Sequence, residues 1–142
     1  MASDVRAYIP REKRMLVEWL ARTHPKVMQW RNVRLGPIPH GNPAFNTVRR
    51  YADAVLLDNN VVYIVEASVM PDYTKIAQLE LYESMFPETP EFSSVAHLPI
   101  KKVFLTSMLD KYTKDLAESK GVDYEVFTPA WIKDYLKEKL SG

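Results

Sequence analysis

The chain has 142 residues, 46% of them hydrophobic and 26% charged, which suits one globular domain with a core of its own and argues against disorder. A net charge of +1 excludes a chain-wide basic field, and the lack of cysteine excludes disulfides, thiolate zinc sites and cysteine nucleophiles. No apolar run reaches membrane-spanning length and the charged N-terminus lacks a signal-peptide core, so a soluble, cytoplasmic protein is expected.

Pro10 followed by Arg11-Glu12-Lys13 starts a helix. Its apolar residues Met15, Leu16, Trp19 and Leu20 recur at helical spacing, and Thr23-His24-Pro25 ends it. Residues 26–35 read as a strand, and the breaker-rich stretch 36–43 as a loop. Residues 48–57 and 61–69 are strands joined at Asp58-Asn59-Asn60, where asparagine tolerates the left-handed backbone of a tight hairpin. After Pro71-Asp72 a helix runs from Tyr73 to Met85, and residues 88–99 read as a loop. A strand over Lys102–Thr106, a helix over Asp110–Ser119, a strand over Tyr124–Phe127 and a last helix follow. Thr128 is the expected cap of that helix, with Pro129 at its first position and Trp131, Tyr135 and Leu136 on its apolar side. Strand, helix, strand, helix implies a parallel pair. With no repeat or linker, residues 1–142 read as one domain.

The hairpin carries the chemistry. A two-residue turn at Asn59-Asn60 pairs Asp58 with Val61, and counting back places Asp53 opposite Glu66; a turn at Asp58-Asn59 slides the register but keeps both on one face, and a three-residue loop without a bulge would separate them. The strands are otherwise so apolar that both faces should be covered. Two buried carboxylates at close range repel, and each is costly to ionise. A divalent cation, an arginine such as Arg49 or Arg50, or a retained proton would each relieve them. A wet strand end would also do so.

Asp53, then Glu66-Ala67-Ser68 closing the next strand, then a helix carrying Gln78-Leu79-Glu80-Leu81-Tyr82, resembles the PD-(D/E)XK nuclease superfamily. The Gln-x-x-x-Tyr spacing is that of its RecB-like branch. The resemblance runs from the first helix to the strand around Phe104. It implies an α/β, restriction-endonuclease-like fold, a mixed central sheet flanked by helices. It further implies Mg²⁺ or Mn²⁺ held by Asp53 and Glu66, with the Ala67 carbonyl as a further ligand, and Gln78 and Tyr82 lining the site. The implied activity is metal-dependent phosphodiester hydrolysis of nucleic acid, DNA above all. Arg31, Arg34, Arg49 and Arg50 are the candidate phosphate contacts, with surface charge as their plainer reading.

Position 68 departs from the pattern: it holds serine where the superfamily has lysine, and a short neutral hydroxyl cannot supply the charge. Lys75 lies three residues before Gln78 and seven before Tyr82, on the same helix face, so it is the candidate for a displaced catalytic lysine. The competing expectation is a catalytically inactive relative that serves DNA binding or phage or mobile-element assembly. A homodimer or assembly partner would help a domain this small to grip a duplex. Glu12 and Glu18 are candidates for an auxiliary acidic residue on the first helix, although a solvated glutamate is the plainer reading of both. There is no phosphate-cradling glycine loop and no nucleophile elbow. His24, His40 and His97 lack metal-ligand spacing, and only His40, just before the hairpin, stands near the expected site.

Overall fold

The computed structural model describes residues 10–39 and 48–141. Among them, helix α1 (Arg11–Thr23) is followed by strands β1 (Met28–Leu35), β2 (Arg50–Asp58) and β3 (Val61–Ser68) and helix α2 (Tyr73–Met85). Strand β4 (Ile100–Thr106), helix α3 (Lys111–Ser119), strand β5 (Val122–Val126) and helix α4 (Ala130–Ser141) complete the chain. The strands lie side by side in the order β1-β2-β3-β4-β5. The first three are antiparallel, and β3, β4 and β5 are parallel to one another.

The apolar strands are covered on both faces. Met15, Leu16, Trp19 and Leu20 of α1 and Ile132 of α4 pack on Ala54, Leu56, Val65, Ala67, Val103 and Leu105. On the other side Ile76, Leu79, Tyr82 and Met85 of α2, with Phe86 and Phe92 after it, pack on Val55, Val62, Ile64 and Phe104. Each fully buried Leu, Ile or Phe contributes roughly 1.5–3 kcal/mol from apolar surface removed from water, so two such layers hold the central strands rigidly. The result is a mixed five-stranded α/β sheet flanked by helices.

Local chemistry sets the ends of these elements. The Asp72 carboxylate accepts the Thr74 N–H at 2.9 Å and starts α2. Asp110 does the same for α3 through the Thr113 N–H, also at 2.9 Å. Asn59 and Asn60 have φ of 50° and 61°, the paired left-handed conformation whose twist matches a two-residue hairpin. His24 ends α1, its Nδ1 3.2 Å from Asp58 Oδ2 and its ring edge-on to Trp19 and Tyr63, which ties the helix to the hairpin tip.

Two local expectations change, and the apolar side expected for the last helix gains a residue. The stretch after α2 is largely wound into short 3-10 turns at Phe86–Glu88 and Pro90–Val95, because prolines at their starts fix φ while Phe86 and Phe92 are drawn into the core. The Thr128 hydroxyl donates to the Ser107 carbonyl at 2.6 Å and does not cap α4; the Pro129 carbonyl instead accepts the first helical N–H groups, from Ile132 and Lys133. The buried anchor of α4 is Ile132, with Trp131, Tyr135 and Leu136 half-buried around it. His40 and the rest of the loop through Pro43 lie outside the described residues.

Candidate functional site

The β2–β3 ladder runs from Asp58↔Val61 to Ala54↔Val65 and stops one step short of Asp53 and Glu66. The strands part there, and a side chain bridges the opening: Asp53 Oδ2 accepts the Ala67 N–H at 2.8 Å. Glu66 is only 1% exposed, and its Oε2 is buried without a hydrogen-bond partner among the described residues. Burial, and then the Asp53 carboxyl beside it, push the Glu66 pKa up to about 9. The counting of the hairpin register thus holds. Asp53 and Glu66 are neighbours, and the Asp53 carboxyl acts on the titration of Glu66.

Helix α2 brings two further residues toward this pair, Lys75 and Tyr82. Lys75 Nζ lies 3.9 Å from Glu66 Oε2. It opposes the rise in the Glu66 pKa without cancelling it, since burial and Asp53 outweigh it. Tyr82, two turns on, is buried, and its hydroxyl donates to the Tyr51 carbonyl at 2.9 Å. Burial and then the Glu66 charge raise the pKa of that phenol, so it stays a donor at neutral pH. Gln78 is half-buried on the helix between them. Ser68, the last residue of β3, pairs with Thr106 at the strand end.

On the α1 side, Asp53 and the Ala67 segment open into a cleft of about 520 Å³, also lined by Glu12, Lys13, Leu16, Arg31 and Asn32. Glu12 therefore sits on the cleft. Glu18 does not; it accepts from Trp131 Nε1 at 2.9 Å and from Arg14 Nε at 2.9 Å, and these bonds, the Trp131 one foremost, lower its pKa. The candidate phosphate-binding arginines fall in different places. Arg31 is exposed on the cleft wall. Arg34 is exposed, with its guanidinium 5.9 Å from the Tyr51 ring centroid. Arg50 is exposed and close enough to Tyr82 to act on its titration. The Arg49 side chain is only 9% exposed and is held by the Gly36 carbonyl at 3.1 Å and by Glu91 at 2.6 Å.

Asn32 and Lys13 on this cleft escaped the sequence reading. Asparagine is depleted in strands, so Asn32 inside an otherwise strand-forming run was the available signal. Lys13 is one of many surface cations and carried none. Among the described residues no group of three or more His, Cys, Asp or Glu is arranged to hold a metal. What the site offers a hard cation is sparser: two carboxylates, one with a buried oxygen that has no hydrogen-bond partner among the described residues, and the main chain at Ala67. That set suits Mg²⁺, which keeps several waters and takes only one or two carboxylates. Among the described residues no helix is long and apolar enough to cross a membrane.

A mixed five-stranded sheet flanked by helices defines an α/β fold that solved endonucleases also have. A repair endonuclease from Pyrococcus abyssi matches with a TM-score of 0.54 at 14% identity, covering 86% of this chain and 49% of that one. EndoMS in its dsDNA2 complex matches with a TM-score of 0.55 at 11% identity, covering 86% of this chain and 46% of that one. The chain thus spans about half the length of each. No known family profile matches the sequence, and no curated protein does.

Proposed function

We propose that this chain is a PD-(D/E)XK-type nuclease domain that hydrolyses phosphodiester bonds in DNA with Mg²⁺ or Mn²⁺ held by Asp53, Glu66 and the Ala67 carbonyl. The observation that carries the reading is the placement of Lys75 Nζ 3.9 Å from the unpartnered oxygen of Glu66. It returns to the carboxylate pair the positive charge that Ser68 cannot supply. A divalent ion bound there lowers the pKa of a coordinated water and neutralises charge developing on the scissile phosphate. Asp53 is oriented for that task by its bond from the Ala67 N–H. Lys75 adds a fixed charge beside the attacked phosphate. Gln78 positions water or the backbone phosphate, the buried Tyr82 braces the start of β2 through its bond to the Tyr51 carbonyl, and the exposed Arg31, Arg34 and Arg50 meet flanking phosphates. The fold shared with a repair endonuclease and with a DNA-bound endonuclease supports this reading.

Ser68 itself favours one competing reading, a nuclease-like fold kept for DNA binding or assembly. Plasmid and single-stranded DNA incubated with the protein and Mn²⁺ separate the two. The nuclease reading expects cleavage that Asp53→Ala abolishes and that Lys75→Ala reduces about 10²–10³-fold, the usual cost of one transition-state charge stabiliser. Cleavage no greater than that of Asp53→Ala refutes it, and activity gained only in Ser68→Lys identifies the binding module.

A further inference from the structure

We infer that Asn32, through the left-handed conformation of its backbone, is the positioning residue that turns Asp53 out of the sheet and toward its task. This rests on the reading of Asp53 as a metal ligand and adds a residue to that site.

Strand β1 pairs with β2 in unbroken register from Met28↔Leu57 to Arg31↔Ala54, and again from Val33↔Ala52 to Leu35↔Arg50. The pairing sum is the same on both sides, so no residue is inserted. The missing rung is the one that Asn32 and Asp53 would make. Asn32 has φ of 52°; among the described residues only Asn59 and Asn60, in the hairpin turn, are other non-glycine residues with positive φ. Unlike them, Asn32 stands in the middle of a strand, where no turn requires that conformation.

The consequence is visible in the packing. Side chains along a strand alternate between faces, so residues three apart should lie on opposite sides. Yet Trp30 and Val33 both pack against the α2-side core, and so do Ala52 and Val55. Alternation breaks in both strands at one level, and that level is Asn32 and Asp53. Asp53 is then left without a ladder partner on either side, because the β2–β3 ladder also ends at Ala54↔Val65. Its side chain, freed from the regular pleat, reaches across to the Ala67 N–H and lines the same cleft as Asn32. Asparagine and glycine tolerate this backbone; a β-branched residue resists it. An extended residue at 32 would restore the rung and return Asp53 to the pleat.

The test uses the full chain with Asn32→Gly, Asn32→Ala and Asn32→Val, read in two ways. Amide hydrogen exchange at Ala67, measured without metal, reports the bond to Asp53, and Asp53→Ala sets its complete loss. Mn²⁺ titration by calorimetry reports the ligand set. Asn32→Gly is expected to match the wild type in both. Asn32→Val is expected to expose the Ala67 amide as Asp53→Ala does and to weaken Mn²⁺ binding about 10–100-fold, the range found when a residue that orients a metal ligand is removed. Asn32→Ala, the milder change, shifts both readouts in the same direction and serves if the valine variant does not fold. Wild-type values in Asn32→Val or, failing that, in Asn32→Ala overturn the inference. So does a loss in Asn32→Gly equal to that in Asn32→Val, which would make the side-chain amide the agent. If the wild type binds no Mn²⁺, the metal reading falls while the Ala67 amide still decides the role of Asn32.

Discussion

Glu66 should make the metal-free protein lose stability as pH rises through neutrality. Burial and Asp53 lift its pKa from 4.5 to about 9, so the folded state holds a proton that the unfolded chain has released. A raised folded pKa gives stability that is fully present below pH 4.5 and is lost as pH climbs toward 9. One such proton weakens the fold steadily as pH rises between those limits, so moving from pH 6 to pH 8 costs up to about 2–3 kcal/mol. For a domain this size that shifts a urea midpoint by roughly 1–2 M. The assay is urea unfolding in EDTA at pH 6, 7 and 8, for the wild type and Glu66→Gln. The glutamine keeps the shape without titrating, so its profile should be flatter and it should be the more stable protein at pH 8. Saturating Mn²⁺ favours the carboxylate and should restore the wild type at pH 8, by about 2.7 kcal/mol at a hundred times Kd. Parallel pH profiles for the two proteins in EDTA would refute the reasoning.

Other outcomes follow from the same geometry. Lys75→Ala removes a charge that favours ionised Glu66, so Mn²⁺ binding measured by calorimetry should shift to higher pH; an unchanged pH profile means that the two groups do not interact. Leu79→Ala should destabilise by about 2–5 kcal/mol in urea unfolding, since Leu79 is fully buried beneath the site helix. Gly36 has φ of 105°, and a Cβ there would meet Met85 Cε at 2.8 Å, so Gly36→Ala should cost about 1–3 kcal/mol in the same assay. An Asp53→Ala variant should lose Mn²⁺ binding while keeping the fold by circular dichroism, because Asp53 serves the opening between the strands and not the core.

Much of this fold was legible because local rules and packing agree. The hairpin could be counted from Asn59-Asn60, whose left-handed backbone fixes the register, and that count alone made Asp53 and Glu66 neighbours. Helices α1 and α2 followed from apolar spacing and from flanking prolines and Asp72. The facing of Lys75 toward Glu66 was accessible for the same reason, since residues 75, 78 and 82 must share a helix face. What escaped was set by choices with no periodic signature. The left-handed turn of Asn32 breaks strand alternation at a single residue. The hydrogen bonds of Thr128 depend on where the Ser107 carbonyl lies, which is a tertiary matter. Of two glutamates on α1, Glu18 was drawn to Trp131, 113 residues away, leaving Glu12 on the cleft. Arg49 and Arg50 are adjacent in sequence, yet Arg49, just before β2, is held against Glu91 and the Gly36 carbonyl while Arg50, the first residue of β2, is exposed.

The tight turn at Asn59-Asn60 also limits how such a sequence can drift. With β3 buried on both faces, its side chains cannot change sides without turning two cores inside out. Inserting or deleting a single residue within either strand between Asp53 and the turn, or between the turn and Glu66, would therefore either unfold the sheet or part the two carboxylates. A pair of inserted residues that lengthens the turn leaves them opposed. The chain between these acids can therefore lengthen at the turn, where alternation does not apply, but not within the strands.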